Sequence, residues 1–149
     1  MKIAVSACLA GQKCRYDGND NYDIRLISKL KNCELILFCP EDYAFGSPRA
    51  RMDLVQTAQG IQAISGASGA DLSAPIEQYA QTFFNMHPDI DLFIGKDRSP
   101  SCGVCSAKLY DKEKKLLSVK ETGLMAKEAK KRGICAWDAE DIVSAALFQ

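Results

Sequence analysis

KIAVSAC, residues Lys2 to Cys8, is a short apolar run with β-branched residues that stops abruptly at turn-forming residues. That is the pattern of a strand covered on both faces, not of one alternating between core and water. ELILFC (Glu34 to Cys39) and DLFIGK (Asp91 to Lys96) repeat it, and GICAW (Gly133 to Trp137) is a weaker version behind a helix-stopping glycine. Strands of this kind belong to parallel sheets, whose crossovers are long enough to hold a helix. The segments between them have helical character. Asp20 to Leu30 carries Ile24, Ile27 and Leu30 at three-residue steps, and Ala74 to Met86 gathers Ile76, Tyr79, Ala80, Phe83 and Phe84 on one face. Glu121 to Arg132 and Asp138 to Leu147 add two more helices, the last with Asp138 as its expected cap and Glu140 and Asp141 in its first turn. Right-handed crossovers then predict an open, three-layer α/β fold, Rossmann-like, with a mainly parallel sheet and helices on both faces. Asp53 to Gly60 and Gly60 to Ser65 read as an antiparallel hairpin or an edge addition.

Composition narrows the function. A chain of 149 residues with 47% apolar content suits one domain, 1–149, with a continuous core. Nineteen basic and nineteen acidic residues cancel, so no broad field gathers phosphates or anionic lipid, and nucleic-acid binding is disfavoured. Met1 to Ala10 is too short to span a membrane and lacks a signal peptide's basic stretch and cleavage site, so the expected location is cytoplasmic. Neither GxGxxG nor a Walker-type loop follows the first strand, which argues against a dinucleotide or nucleoside triphosphate. Seven cysteines are an odd number for a disulfide framework, and in a reducing compartment they point to metal binding or thiol chemistry.

Ligands of open α/β sheets bind beyond the carboxyl ends of the strands. Cys8 closes the first predicted strand, Cys39 closes the second, and Cys102 lies in the loop after the third, so three distant sulfurs are expected at one rim. Cys33 and Cys135, where a helix ends and a strand begins, are assigned to packing. Cys102 and Cys105 form a CxxC that also suits a redox dithiol or half a zinc site. The one histidine, His87, precedes Pro88 at a helix end, which rules out a histidine-rich metal set and leaves thiolates, soft ligands that favour iron-sulfur clusters or zinc.

The motifs VSACL (Val5 to Leu9), CRYDG (Cys14 to Gly18), CPE (Cys39 to Glu41), Pro48-Arg49, RSPSCG (Arg98 to Gly103) and the closing stretch Glu121 to Asp141 occur in fixed order along nearly the whole chain. In these the chain resembles the thiouracil desulfidases, small bacterial iron-sulfur proteins. It departs from them after Glu41, where a Gly-Gly-Leu stretch and a second proline after Pro-Arg are replaced by Asp42 to Arg51. The resemblance implies a 4Fe-4S cluster on Cys8, Cys39 and Cys102, with one iron left to accept the sulfur of a small thiolated nucleobase. On that expectation Glu41, delivered to the same rim two residues after Cys39, is the candidate base. Ser101 is the candidate hydroxyl beside the reacting carbon, with Ser99 its less favoured substitute. Arg15, Tyr16, Asp17 and Arg49 are candidates to line the crevice, Arg49 by binding a carbonyl or anionic group. The competing readings are a four-thiolate electron carrier or redox sensor using Cys14 or Cys105 as fourth ligand, and a zinc or dithiol protein using Cys102 and Cys105.

Overall fold

The computed structural model describes residues 1–145. In chain order its elements are β1 (Lys2–Ser6), α1 (Ile24–Lys29), β2 (Glu34–Phe38), α2 (Pro40–Phe45), β3 (Met52–Thr57), β4 (Gly60–Ser65), α3 (Ser73–Met86), β5 (Leu92–Gly95), β6 (Ala107–Tyr110), β7 (Leu116–Glu121), α4 (Leu124–Lys131), β8 (Cys135–Asp138) and α5 (Ala139–Ser144). The four predicted strands form one wholly parallel sheet in the order β2-β1-β5-β8, with Val5 opposite both Leu37 and Ile94. Alternation along β1 divides the core. Ala4 faces α3 and α4, packing with Phe38, Phe93, Ala80, Phe84, Met125 and Ala129, while Ile3 and Val5 face α1 and α5 with Leu26, Leu30, Ile94 and Ile142. Each fully buried side chain of this size stabilises the fold by about 1.5–3 kcal/mol, and together they fix the three-layer α/β arrangement.

Several boundaries differ from the sequence reading. In α1 the buried pair is Leu26 and Leu30, whereas Ile24 is 60% exposed. The reason is the cap: Asp23 accepts hydrogen bonds from Arg25 N and Leu26 N, so the helix starts at Ile24, four residues after Asp20, and turns a different stripe inward. Glu121 belongs to β7, and α4 begins only after Gly123. That helix ends as expected at Gly133, where Gly133 N and Ile134 N bond the carbonyls of Lys130 and Ala129 in a left-handed cap. Asp138 occupies the cap position of α5 but gives the helix no side-chain bond. Its carboxylate instead holds Val104 N, Cys105 N and Ser106 Oγ, and Asp97 Oδ1 accepts from Glu140 N in its place. Of the predicted helix Asp138 to Leu147, residues 146 and 147 lie outside the described residues.

A second sheet, in the order β4-β3-β6-β7, was only partly foreseen. The hairpin of β3 and β4 is as expected, and β6 joins β3 in parallel. β6 and β7 had no buried-strand signature: Leu116, Leu117 and Val119 of β7 are about half exposed, and the connecting turn is lysine-rich. Among the described residues no helix is long and apolar enough to cross a membrane.

Candidate active site

Four of the seven cysteines, Cys8, Cys14, Cys39 and Cys102, line one cavity of about 470 Å³ at the carboxyl ends of β1, β2 and β5. Each is fixed by its own local device. Cys8 lies in a single 3-10 turn, Ala7–Ala10, directly after β1, and its carbonyl accepts from Gly11 N and Asn21 N. Cys39 is the cap of α2: with Pro40 at the first helical position, its Sγ accepts from Asp42 N at 3.4 Å, and its own N–H donates to Tyr79 Oη at 3.3 Å. Cys102 sits in a loop pulled tight by Ser99, whose Oγ accepts from Cys102 N at 3.0 Å and Ser101 N at 3.3 Å. Two glycines press on that loop, for a Cβ on Gly95 would stand 1.7 Å from Cys102 O and one on Gly123 would stand 2.6 Å from the Ser101 carbonyl carbon.

Cys39 Sγ donates to the Cys14 carbonyl at 3.7 Å, and the neighbouring Cys39 and Cys8 sulfurs push the Cys14 pKa up. The neighbouring Cys14 thiol in turn draws Cys8 down to about 6 and Cys39 below the usual thiol range. Burial pushes Cys102 up, and it also pushes Tyr79 up to about 12. The cavity is therefore a set of soft sulfur donors, with Cys8 and Cys39 drawn toward the thiolate. Among the described residues no three Cys, His or carboxylate groups close on a point small enough for a single metal ion.

Beside the sulfurs runs a polar wall. Ser101, fully buried, donates from Oγ to Glu41 Oε2 at 2.6 Å and stands 3.5 Å from Cys102 Sγ. On the other side Arg49 Nε lies 3.7 Å from Glu41 Oε1, with both side chains largely buried. A hydroxyl, a carboxylate and a guanidinium thus meet the thiols in one enclosure, an arrangement suited to moving a proton next to a sulfur-bound group.

Residues 3–141 match the 2-thiouracil desulfurase family. The chain belongs to that family. Within and around it, the uncharacterized protein YbbK of Bacillus subtilis (strain 168) is 28% identical over 152 residues, 95% of this chain and 99% of its own length. The solved structure of TudS, a 4Fe-4S-dependent thiouracil desulfidase, aligns with a TM-score of 0.77 at 27% identity, over 98% of this chain and 95% of that one.

Of the other residues singled out in this desulfurase-family chain, Arg15 and Tyr16 line the cavity but Asp17 does not. Asp17 closes its own turn by accepting from Asn19 N and pairs with Arg15 at 3.4 Å. Tyr16 carries Arg51 over its ring at 5.1 Å and Arg15 at 5.6 Å. Cys105 is exposed and turned to Lys130 Nζ at 3.6 Å, away from the cavity that holds Cys102, so the CxxC does not act as one unit. Cys33 packs against the α1 side of the core as expected. Cys135 does not pack: β8 is an edge strand, and this side chain faces outward. His87 ends α3 with its ring against Phe83 at 4.9 Å, far from any ligand role. Tyr79 was read as part of an apolar helix face, and nothing in the sequence marked its hydroxyl as the partner of Cys39.

Proposed function

We propose that this protein converts 2-thiouracil, or a closely related thiolated pyrimidine, to the oxo compound and sulfide, using a 4Fe-4S cluster held by Cys8, Cys39 and Cys102. The observation that carries the reading is the 2.6 Å bond from Ser101 to Glu41 at the wall of the cavity these cysteines line. The donor set fits the group. Thiolates are the ligands of iron-sulfur clusters, and Cys8, Cys39 and Cys102 line one cavity. When bound, such a cluster offers a soft, Lewis-acidic iron without a protein ligand, able to take the thiocarbonyl sulfur and polarise the carbon-sulfur bond without net redox change.

The chain's own residues supply the proton chemistry. Glu41 takes a proton from the water that adds to the thiocarbonyl carbon. Ser101 holds the second carboxylate oxygen and stands next to Cys102, the position from which a proton returns to the departing sulfur. The sum is C=S plus water giving C=O plus hydrogen sulfide, so no external reductant or oxidant is consumed.

The test is to purify the protein without oxygen, measure iron and acid-labile sulfide, and follow the thiocarbonyl absorbance of 2-thiouracil as uracil and sulfide appear. Cys8→Ala, Cys39→Ala and Cys102→Ala are expected to lose the cluster, and Cys33→Ala and Cys135→Ala to keep it. Glu41→Gln is expected to keep its iron and lose roughly 100-fold or more in turnover. An iron-free wild type, or full turnover in Glu41→Gln, overturns the proposal. The placement of Cys14 favours one second reading, a four-thiolate cluster closed to substrate. On that reading Cys14→Ala changes the cluster's spectrum, whereas on the first it leaves spectrum and turnover in place.

A further inference from the structure

Arg49 is wired into the site through all but one of its nitrogens. Nη1 donates to Gly46 O at 3.0 Å and Ser47 Oγ at 2.6 Å, Nη2 donates to Cys14 O at 2.9 Å, and the backbone N–H donates to Tyr16 O at 2.7 Å. The side chain is 8% exposed. Among the described residues its Nε is the one buried side-chain nitrogen or oxygen without a hydrogen-bond partner. Buried donors are seldom left unmet, and one that is unmet in a cavity wall calls for an explanation.

Glu41 does not supply it. At 3.7 Å Oε1 is beyond hydrogen-bond range, and neither group is free to close the gap, since Ser101 holds Glu41 Oε2 and three bonds fix the guanidinium plane. Arg49 lines the cavity with the cysteines, and Nε is the guanidinium nitrogen left without a partner for a group bound there. The same carboxylate decides what that is. Because Glu41 already balances the guanidinium charge, the complementary group is a neutral acceptor such as a carbonyl oxygen and not a second anion.

We propose that Arg49 Nε–H reads the ring carbonyl of the substrate, selecting thiolated rings in which a carbonyl stands across one ring nitrogen from the sulfur-bearing carbon. This rests on the desulfidase reading and adds the group that sets ring orientation. A ring held by sulfur at one end and by this carbonyl at the other cannot rotate in its plane, which keeps the thiocarbonyl carbon facing Glu41. A ring with an amino group in place of the carbonyl sets donor against donor and is rejected.

The experiment measures equilibrium binding of uracil, pyrimidin-2-one and cytosine to the cluster-loaded protein. The second ligand lacks the carbonyl, and the third replaces it with an amino group. Wild type is expected to bind uracil about 10- to 100-fold more tightly than either. Arg49→Met places a methyl group where Nε stood and is expected to bind all three alike. Arg49→Gln restores an N–H at that position, without the charge or the outer nitrogens, and is expected to recover the preference for uracil. Equal affinities in wild type overturn the proposal, and so does a preference that survives Arg49→Met. If neither variant retains its cluster, the wild-type series alone decides. Sulfide release from 2-thiouracil is measured separately: its absence counts against the desulfidase reading, while the binding ratios still report on Arg49.

Discussion

Replacing Gly95 by alanine drives a methyl group into the backbone that carries Cys102. The added Cβ would lie 1.7 Å from Cys102 O and 2.8 Å from its carbonyl carbon, against a floor of 3.0 Å for real contacts. The Cys102 carbonyl must therefore retreat by about 1.3 Å. It has little room to do so. Gly123 stands against the preceding peptide, between Ser101 and Cys102, and Ser101 O is held by Met125 N and Ala126 N at the start of α4. Metal-ligand distances tolerate only about 0.2 Å, so a displacement several times larger is expected to remove Cys102 from the proposed ligand set. Overpacking costs about 1–3 kcal/mol, which for a chain of this length lowers the melting temperature by roughly 3–10 °C without abolishing the fold. The assay is iron per chain and visible absorbance after anaerobic loading, with a thermal melt by circular dichroism on the same sample. Gly60→Ala is the control: it sits at positive φ in the β3–β4 turn with open space around it. It is expected to cost about 1 kcal/mol in stability and no iron. Gly95→Ala with wild-type iron content would refute the argument that this close approach sets the position of Cys102.

Two further outcomes follow from the electrostatics. In the cluster-free protein at neutral pH, Cys8 and Cys39 are expected to alkylate with iodoacetamide ahead of Cys14 and Cys102, because the first two are drawn toward the thiolate and the last two held as thiols; peptide mass spectrometry gives the order, and earlier modification of Cys102 contradicts it. Asp97 is buried beside Asp138 and Glu140, and burial first, then these charges, raise its pKa above the usual 3.8. Its native form thus holds a proton that the unfolded chain has released, so its contribution to stability is fully present below 3.8 and is lost as pH rises through the folded value. Asp97→Asn, which keeps an acceptor for Glu140 N, is expected to flatten that decline in denaturant titrations run from acid to neutral pH, and an unchanged slope would show that Asp97 is not its source.

The parallel sheet was legible because burial on both faces leaves a local mark. KIAVS, ELILF and LFIG are apolar without alternation, and each became a strand within a residue or two of its expected limits. β6 and β7 left no such mark, since half their side chains face solvent and the pairing of β6 with β3 depends on residues some fifty positions away. Asp138 shows the same limit at the scale of one side chain. A helix cap is a local prediction, but the Cys102 loop competes for the carboxylate and wins it with three donors.

The sequence by itself determined that sulfurs from three separate loops would share one rim, because unalternating apolar runs mark strands of a parallel sheet and ligands of such sheets bind at the carboxyl ends of the strands. It also carried Glu41 and Ser101 as candidates, through their adjacency to Cys39 and Cys102. Tertiary structure alone decided that Cys14 joins that rim while Cys105, three residues from Cys102, turns away. It alone left Arg49 Nε without a partner. The physical reason is that hydrogen-bond satisfaction is counted over every neighbour a group has in space, and those neighbours come from segments the linear chain keeps apart.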